Sequence, residues 1–340
     1  MKNMKKAAIR LFLGLFALLI VLFFVFFFAT KGEYPVAKTV AQDKSIPHIT
    51  IGNAVFHAET YGSDSNETVI VIHGGPGNDY RYLLPLVALA DQYHVVFYDQ
   101  RGTGLSPRVS DEQLHLDTML KDLANIIDYF SPDKKVSIIG HSWGAMLASG
   151  YLGQHPDRVR KIVLAEPGLL TSAKAKEFMD KTQFRFSFGA LTTVGKSWFK
   201  AMHVDGPDDQ AKSDFMFMSV AADFDIPGHP FLGYFCGRSA KNSYMPYWRY
   251  SAKSSTKIIE HGKNADGELE INLVEGVDSF KNKVLFMAGE CNTLIGPEYQ
   301  KGHLGFFHQA EMVIVPEAGH LMFSDQTALS LSTIRMYFEE

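Results

Sequence analysis

The sequence predicts an α/β fold: a mostly parallel sheet flanked by helices, with a mainly helical cap inserted late in the chain and an N-terminal transmembrane helix. Three observations carry this. Short apolar, β-branched runs recur without the alternation of a half-exposed strand, which suits strands buried on both faces of a parallel sheet. Helical spacing fills several of the intervals between them. The strand–helix alternation lapses once, between Pro167 and about Phe280, where aromatics, methionines and Gly-Pro turns crowd together.

The elements follow in order. Leu11–Ala29 is a run of 19 uncharged residues rich in Phe, Leu and Val. A bilayer needs about 20 such residues as a helix. Lys2, Lys5, Lys6 and Arg10 precede the run or open it, so the positive-inside rule predicts a single-pass anchor with a cytoplasmic N-terminus and the body outside. Ala29-Thr30-Lys31 makes a poor signal-peptide cleavage site, and a secreted, cleaved form is the alternative. Residues 1–30 are thus read as anchor and 31–46 as a polar linker.

Two strands, His48–Ile51 and Ala54–Thr60, flank the hairpin signal Gly52-Asn53. Buried strands follow at Thr68–Ile72, His94–Tyr98, Lys135–Ile139, Lys161–Ala165, Lys283–Ala288 and Glu311–Val315. Helices are expected at Asp111–Phe130, Ala145–Gln154 and Gln326–Phe338; the first places Leu116, Met119, Leu120, Leu123, Ile126, Ile127 and Phe130 on one face. The core is assigned to 47–166 and 280–340, the cap to 167–279.

Charge excludes one class of partner. Residues 1–31 carry five basic side chains and no acid, which leaves 28 basic residues against 37 acidic ones in the body. So acidic a body argues against nucleic acid as a partner. Cys236 and Cys291 lie 55 positions apart and are too few for a disulfide framework or a zinc site, so two unpaired thiols are expected. No metal or organic cofactor is implied. Oligomeric state is not legible.

The chemistry sits where strands end. Gly140-His141-Ser142-Trp143-Gly144 matches G-x-S-x-G between a strand and a helix, the context in which a sharp turn presents a serine above the sheet. Ser142 is the expected nucleophile. A serine needs a base within hydrogen-bond reach, and of 13 histidines only His320 lies between the last strand and the final helix. The N–H of Trp143 is one expected oxyanion donor. In His73-Gly74-Gly75-Pro76-Gly77 the N–H of Gly75 is the other, with Gly74 next.

HGGPG, DQRGTGLS (Asp99 to Ser106), GHSWG and Ala318-Gly319-His320, in this order and spacing, resemble the proline iminopeptidase branch of the α/β-hydrolases. The likeness covers residues 48–166 and 280–340. It implies an aminopeptidase acting on a small peptide, with Asp99 and Arg101 bracing a structural turn. The sequence departs from the pattern at the triad acid. Asn292, in Gly289-Glu290-Cys291-Asn292, stands where that branch carries Asp. Glu166, ending the strand after the serine's own, replaces it as the leading candidate; the segment VLAEP resembles haloalkane dehalogenase-like members that place their acid there. Asn292 as a weakened orienter, Glu290 and Asp325 remain alternatives. A peptidase would also need a cap carboxylate for the substrate ammonium, from among Glu177, Asp223, Asp225 and Glu260. A carboxylesterase or lipase-like enzyme acting on an ester is the alternative function. A non-catalytic binding module is the third.

Overall fold

In the computed structural model, residues 2–182, 187–221, 229–237 and 246–340 are described. Helix α1 (Lys2–Ala29) comes first. Within it, Met4–Ala29 is long and apolar enough to cross a membrane, with mean hydropathy 3.1 and none of its most apolar window buried. By length and composition it meets the requirements of an anchor and of a signal sequence alike. The polar stretch after it is not wholly free. Thr39 and Val40 are fully buried, and Val40 N–H donates to the Leu105 carbonyl at 2.9 Å.

Eight strands form one sheet in the order β1-β2-β4-β3-β5-β6-β7-β8. Strands β1 (His48–Ile51) and β2 (Ala54–Tyr61) make the expected hairpin. Strand β2 pairs antiparallel with β4 (His94–Tyr98), and from β4 onward all pairs are parallel. The remaining strands are β3 (Thr68–Ile72), β5 (Val136–His141), β6 (Val159–Ala165), β7 (Val284–Gly289) and β8 (Ala310–Val315). The fold is therefore α/β with a mostly parallel sheet.

The period of two along each strand explains why no strand reads as alternating. On β3, Ile70 and Ile72 enter one core while Val69 and Val71 enter the other. Both faces are apolar because both are covered. Helices α2 (Leu116–Phe130) and α3 (Trp143–Gln154) cover the first face through Leu123, Ile127 and Leu147. A 3-10 segment, Arg81–Asp91, covers the second face, as do the later helices α9 (Met322–Asp325) and α10 (Thr327–Glu339), through Leu83, Ile334 and Phe338. Two helix starts differ from expectation by more than one residue. Asp111–Gln113 forms a separate 3-10 turn, because buried Leu114 leaves helical geometry (φ −101°, ψ 64°) to reach the core. The helix expected at Ala145 already starts at Trp143, since β5 runs to His141 and a single residue makes the turn.

Between β6 and β7 the chain leaves the sheet. The described part holds α4 (Ser172–Lys181), α5 (Phe188–Ala201), α6 (Ala211–Ala221) and α7 (Ala252–His261). Buried charges tie it to the core. Asp214 of α6 accepts from Arg249 Nε at 2.9 Å and Arg108 at 3.1 Å, and Arg249 forks onto Asp208. Asp79 accepts from the backbone N–H groups of Trp248 and Arg249 at 2.7 and 2.9 Å. Burial and the nearby Asp99 push the Asp79 carboxyl up to about 8. Removing one partner from such a buried cluster would strand an uncompensated charge.

Helix α8 (Pro297–Leu304) buries His303 completely, and burial pulls this imidazole down to about 4. An unfolded chain binds that proton near pH 6.5. Stability held by neutral His303 is therefore lost as pH falls from 6.5 toward 4. Replacing it by His303→Gln is expected to remove about 2 kcal/mol from the difference in unfolding free energy between pH 7 and pH 5. Denaturant melts at the two pH values check this; an unchanged difference would show that His303 does not titrate as its burial dictates.

Candidate active site

Ser142 sits at φ 55°, ψ −120°, between β5 and α3, and Glu166, one residue past β6, has φ 47°. These are two of only three non-glycine residues with positive φ among the described residues, the third being Glu317. Strained backbone of this kind persists only where surroundings hold it, and it clusters at functional sites. The holding is visible. Ser142 N–H donates to the Ala165 carbonyl at 2.8 Å, and Glu166 N–H donates to the Met287 carbonyl at 3.0 Å, so each sharp turn is pinned to the next strand. The elbow also needs glycine at 144, where a Cβ would lie 2.1 Å from the Ile72 carbonyl oxygen.

His320 follows β8 at the same edge of the sheet, and its Nδ1 lies 2.5 Å from Glu166 Oε2. Glu166 is fully buried. Its Oε1 accepts from Gly289 N–H at 2.8 Å, and its Oε2 also accepts from Asn292 Nδ2 at 2.7 Å. Burial pushes the Glu166 carboxyl well above its ordinary range, opposed by these two donors. Burial moves His320 the other way, well below its ordinary range, which keeps the imidazole neutral at pH 7.

The four acid candidates are thereby placed. Glu166 is the one that meets His320. Asn292 meets Glu166 instead: its Oδ1 accepts from Leu294 N–H at 3.0 Å and Ile295 N–H at 3.1 Å, which turns the amide nitrogen toward the carboxylate. An aspartate there would set a second carboxylate against the first, so the amide is what this geometry requires. Glu290 accepts from Glu317 N–H at 3.1 Å and Asp325 from Gly319 N–H at 2.9 Å; both brace the histidine loop from outside.

The glycine loop packs against the elbow. Gly74 N–H donates to Tyr82 Oη at 2.7 Å and is thereby occupied. Gly75 (φ 129°) and Trp143 have no acceptor for their N–H groups among the described residues. Gln100 joins the two elements: its Nε2 donates to the His73 carbonyl at 2.8 Å, and its Oε1 accepts from Trp143 Nε1 at 3.0 Å. Asp99 accepts from Tyr80 N–H, Leu105 N–H and His57 Nδ1. Arg101 forks onto Asp122 of α2.

Ser142, His320, Gly75 and Trp143 all line one cavity of about 910 Å³. Its lining is largely apolar and includes Met146, Leu169 and Ile295. Among the described residues that line it, Asp180 and Glu268 are the only carboxylates, and both are exposed. Of the four ammonium candidates, Glu177 is paired with Lys174 and Lys181, and exposed Glu260 with Lys257. Asp223 and Asp225 lie outside the described residues.

Sequence reasoning missed three features of this site. Tyr234 stacks on His320 with centroids 4.3 Å apart, and its carbonyl accepts from His320 N–H at 2.7 Å. His141 uses both ring nitrogens: Tyr82 Oη–H donates to Nδ1 at 2.8 Å, and Nε2–H donates to the His320 carbonyl at 2.7 Å. Tyr234 carries no motif signal, and His141 stands at an unspecified position of the G-x-S-x-G motif. The third feature is a correction: Cys236 and Cys291, expected as free thiols, form a disulfide with Cα atoms 4.9 Å apart. Their separation of 55 positions was no guide to distance, because closing a loop costs only logarithmically with its length. The segment after Tyr234 and the turn after β7 are both drawn to the histidine loop, where Cys291 N–H donates to the Ala318 carbonyl at 2.9 Å.

The alpha/beta hydrolase fold family matches residues 67–327. The chain belongs to the α/β-hydrolases. It is 43% identical to the proline iminopeptidase of Heyndrickxia coagulans over 102 residues, 30% of this chain and 35% of that one. The corresponding enzyme of Saccharolobus solfataricus is 32% identical over 103 residues, 30% of this chain and 33% of that one. Epoxide hydrolase 1 of Caenorhabditis elegans is 27% identical over 168 residues, 47% of this chain and 41% of that one. The chain thus spans between a third and about two fifths of the length of these relatives. Among solved structures, a proline iminopeptidase-related protein of Thermus thermophilus superposes with TM-score 0.59 at 16% identity, covering 86% of this chain and 96% of that one. An esterase of Exiguobacterium antarcticum gives 0.60 at 18%, covering 86% and 99%. These likenesses show the fold alone.

The disulfide closes a loop of 55 positions, for which the chain-entropy relation gives about 4 kcal/mol. Cys236→Ser is expected to lower unfolding free energy by an amount of that order and to reduce turnover, because Tyr234 and Asn292 flank the pair. Thermal melts and initial rates with and without reductant check both effects; reduction without loss of either would dissociate the disulfide from the site.

Proposed function

We propose that this α/β-hydrolase is a serine hydrolase that cleaves a carboxylic ester or amide through an acyl-enzyme. The observation that carries the reading is the strained serine sharing a cavity with a neutral imidazole that is oriented by a buried carboxylate. His320 Nε2 takes the proton as Ser142 Oγ attacks the carbonyl carbon. Glu166 holds Nδ1–H and stabilises the imidazolium. The unpartnered N–H groups of Trp143 and Gly75 receive the oxyanion. The imidazolium then protonates the leaving group, and water activated by His320 releases the acyl group.

Two substrate classes have separate support. The largely apolar cavity, whose only carboxylates among the described residues are the exposed Asp180 and Glu268, favours an ester or amide with a large apolar acyl portion. The proline iminopeptidases among the relatives favour an aminopeptidase acting on short peptides. The intact glycine loop and elbow count against the non-catalytic reading.

We read residues 167–279 as a cap over this cavity. We read α1 as an anchor that leaves the body outside the cytoplasm, with the cleaved, secreted form as alternative. Lysines before the span and a disulfide in the body both support export.

Glu166→Gln is expected to lower kcat by about 10⁴ with little change in KM, since an amide orients the ring without stabilising its charge. Asn292→Ala should cost much less. Steady-state kinetics on both variants decide the point, and the reverse order of effects would move the acid's role away from Glu166. Parallel assays with a proline arylamide and a medium-chain acyl ester separate the substrate classes. The cavity predicts faster ester turnover; arylamide turnover alone would establish the peptidase.

A further inference from the structure

Helix α5 carries an uncovered apolar stripe. Phe188, Leu191 and Trp198 are 83%, 59% and 44% exposed, and with Gly195 they fall three, four and three residues apart, on one side of the helix. Single exposed apolar side chains are ordinary on a protein surface. This stripe is different because it continues into α1. The Phe23 ring of α1 lies 5.5 Å from Phe199 and 6.3 Å from Trp198, and Phe26 lies 5.6 Å from Phe199. His203, just past α5, sets its Nε2 2.8 Å from the Phe27 carbonyl.

This inference rests on the anchor reading of α1, whose length then fixes the depth of these contacts. Its uncharged run, Leu11–Ala29, spans about 28 Å at ~1.5 Å per residue, and the hydrocarbon core of a bilayer is about 30 Å thick. No spare length remains to lift Phe23 clear of the lipid. Phe23 lies six residues before Ala29, about 9 Å below the outer boundary. Phe26 and Phe27, touched by Phe199 and His203, lie about 3–5 Å below it, so the helix that makes all three contacts is held in the outer part of the leaflet, close under the headgroups. Trp198 is the side chain favoured there. Lys196 and Lys200 stand beside the stripe in sequence, and the Lys200 ammonium lies 5.7 Å from the ring centre of Tyr34, just past the end of α1.

We propose that α5 lies in the plane of the membrane interface, with Phe188, Leu191 and Trp198 in the lipid, and forms a second membrane contact beside α1. The body is then seated on the bilayer rather than tethered at a distance from it.

The test uses the full chain reconstituted in phosphatidylcholine vesicles, with lipids brominated on the acyl chains as quenchers of tryptophan emission. The chain has three tryptophans; Trp143 is buried, and Trp248 packs on Tyr80 and His57. Brominated lipid is expected to dim the wild type, more with bromines near the headgroup than at the chain ends. Trp198→Phe should cut that loss by more than half. Adding Leu191→Trp to that variant should restore it, which controls for a local effect at one position. Equal emission in plain and brominated vesicles would overturn the proposal. So would protection of Trp198 from aqueous acrylamide without quenching by bromine, the pattern of a second copy or another protein covering α5. The mass of the recovered chain reports α1 separately. If α1 has been removed and the quenching persists, α5 holds the membrane by itself and only the anchor reading fails.

Discussion

One carboxylate organises the upper edge of the sheet. Glu166 is buried without a lysine or arginine beside it among the described residues, and its oxygens are met by Gly289 N–H, the Asn292 amide and the His320 ring. These donors come from the turns after β7 and β8, and Glu166 itself stands after β6. Three loops that share no secondary structure are therefore brought to one point. A buried carboxylate is costly unless each lone pair finds a donor, so the loops cannot drift apart without exposing that cost. The strain at Glu166 is held by the same convergence.

The sheet and its two cores were legible because burial writes itself into composition. A strand covered on both faces must be apolar at every position, and six such runs announced a parallel sheet. Ser142 and His320 were legible for a related reason. The elbow demands glycine at fixed places, and the histidine has a fixed place in chain order, so geometry leaves a trace in the letters. The contact between Glu166 and His320 was anticipated through resemblance alone: the aspartate of the proline iminopeptidase branch is missing, and VLAEP resembles members that carry a carboxylate after this strand.

What stayed hidden depends on contacts between distant segments. No pattern marks Tyr234 as the residue stacked on the histidine, because any flat side chain at that point would leave the same sequence signal. The disulfide was misjudged because sequence separation says little about spatial separation once two loops are drawn to a third. Asn292 showed as a departure from the expected motif, but its purpose needed the structure. It keeps the amide oxygen on two backbone N–H groups and thereby aims its nitrogen.

The bonds through His141 run in one direction only. Gly74 donates to Tyr82, Tyr82 to His141, and His141 to the carbonyl of His320. Each hydroxyl or imidazole accepts on one side and gives on the other, so every proton position in the series follows from the backbone N–H at its start. Protonating His141 would make both of its nitrogens donors and leave the Tyr82 hydroxyl, already accepting from Gly74 N–H, without an acceptor for its own proton. Burial forbids that, and holds His141 well below its ordinary range. The glycine loop and the histidine loop, separated by most of the chain, are thus geared together: whatever shifts one is transmitted to the other, and neither can be exchanged alone.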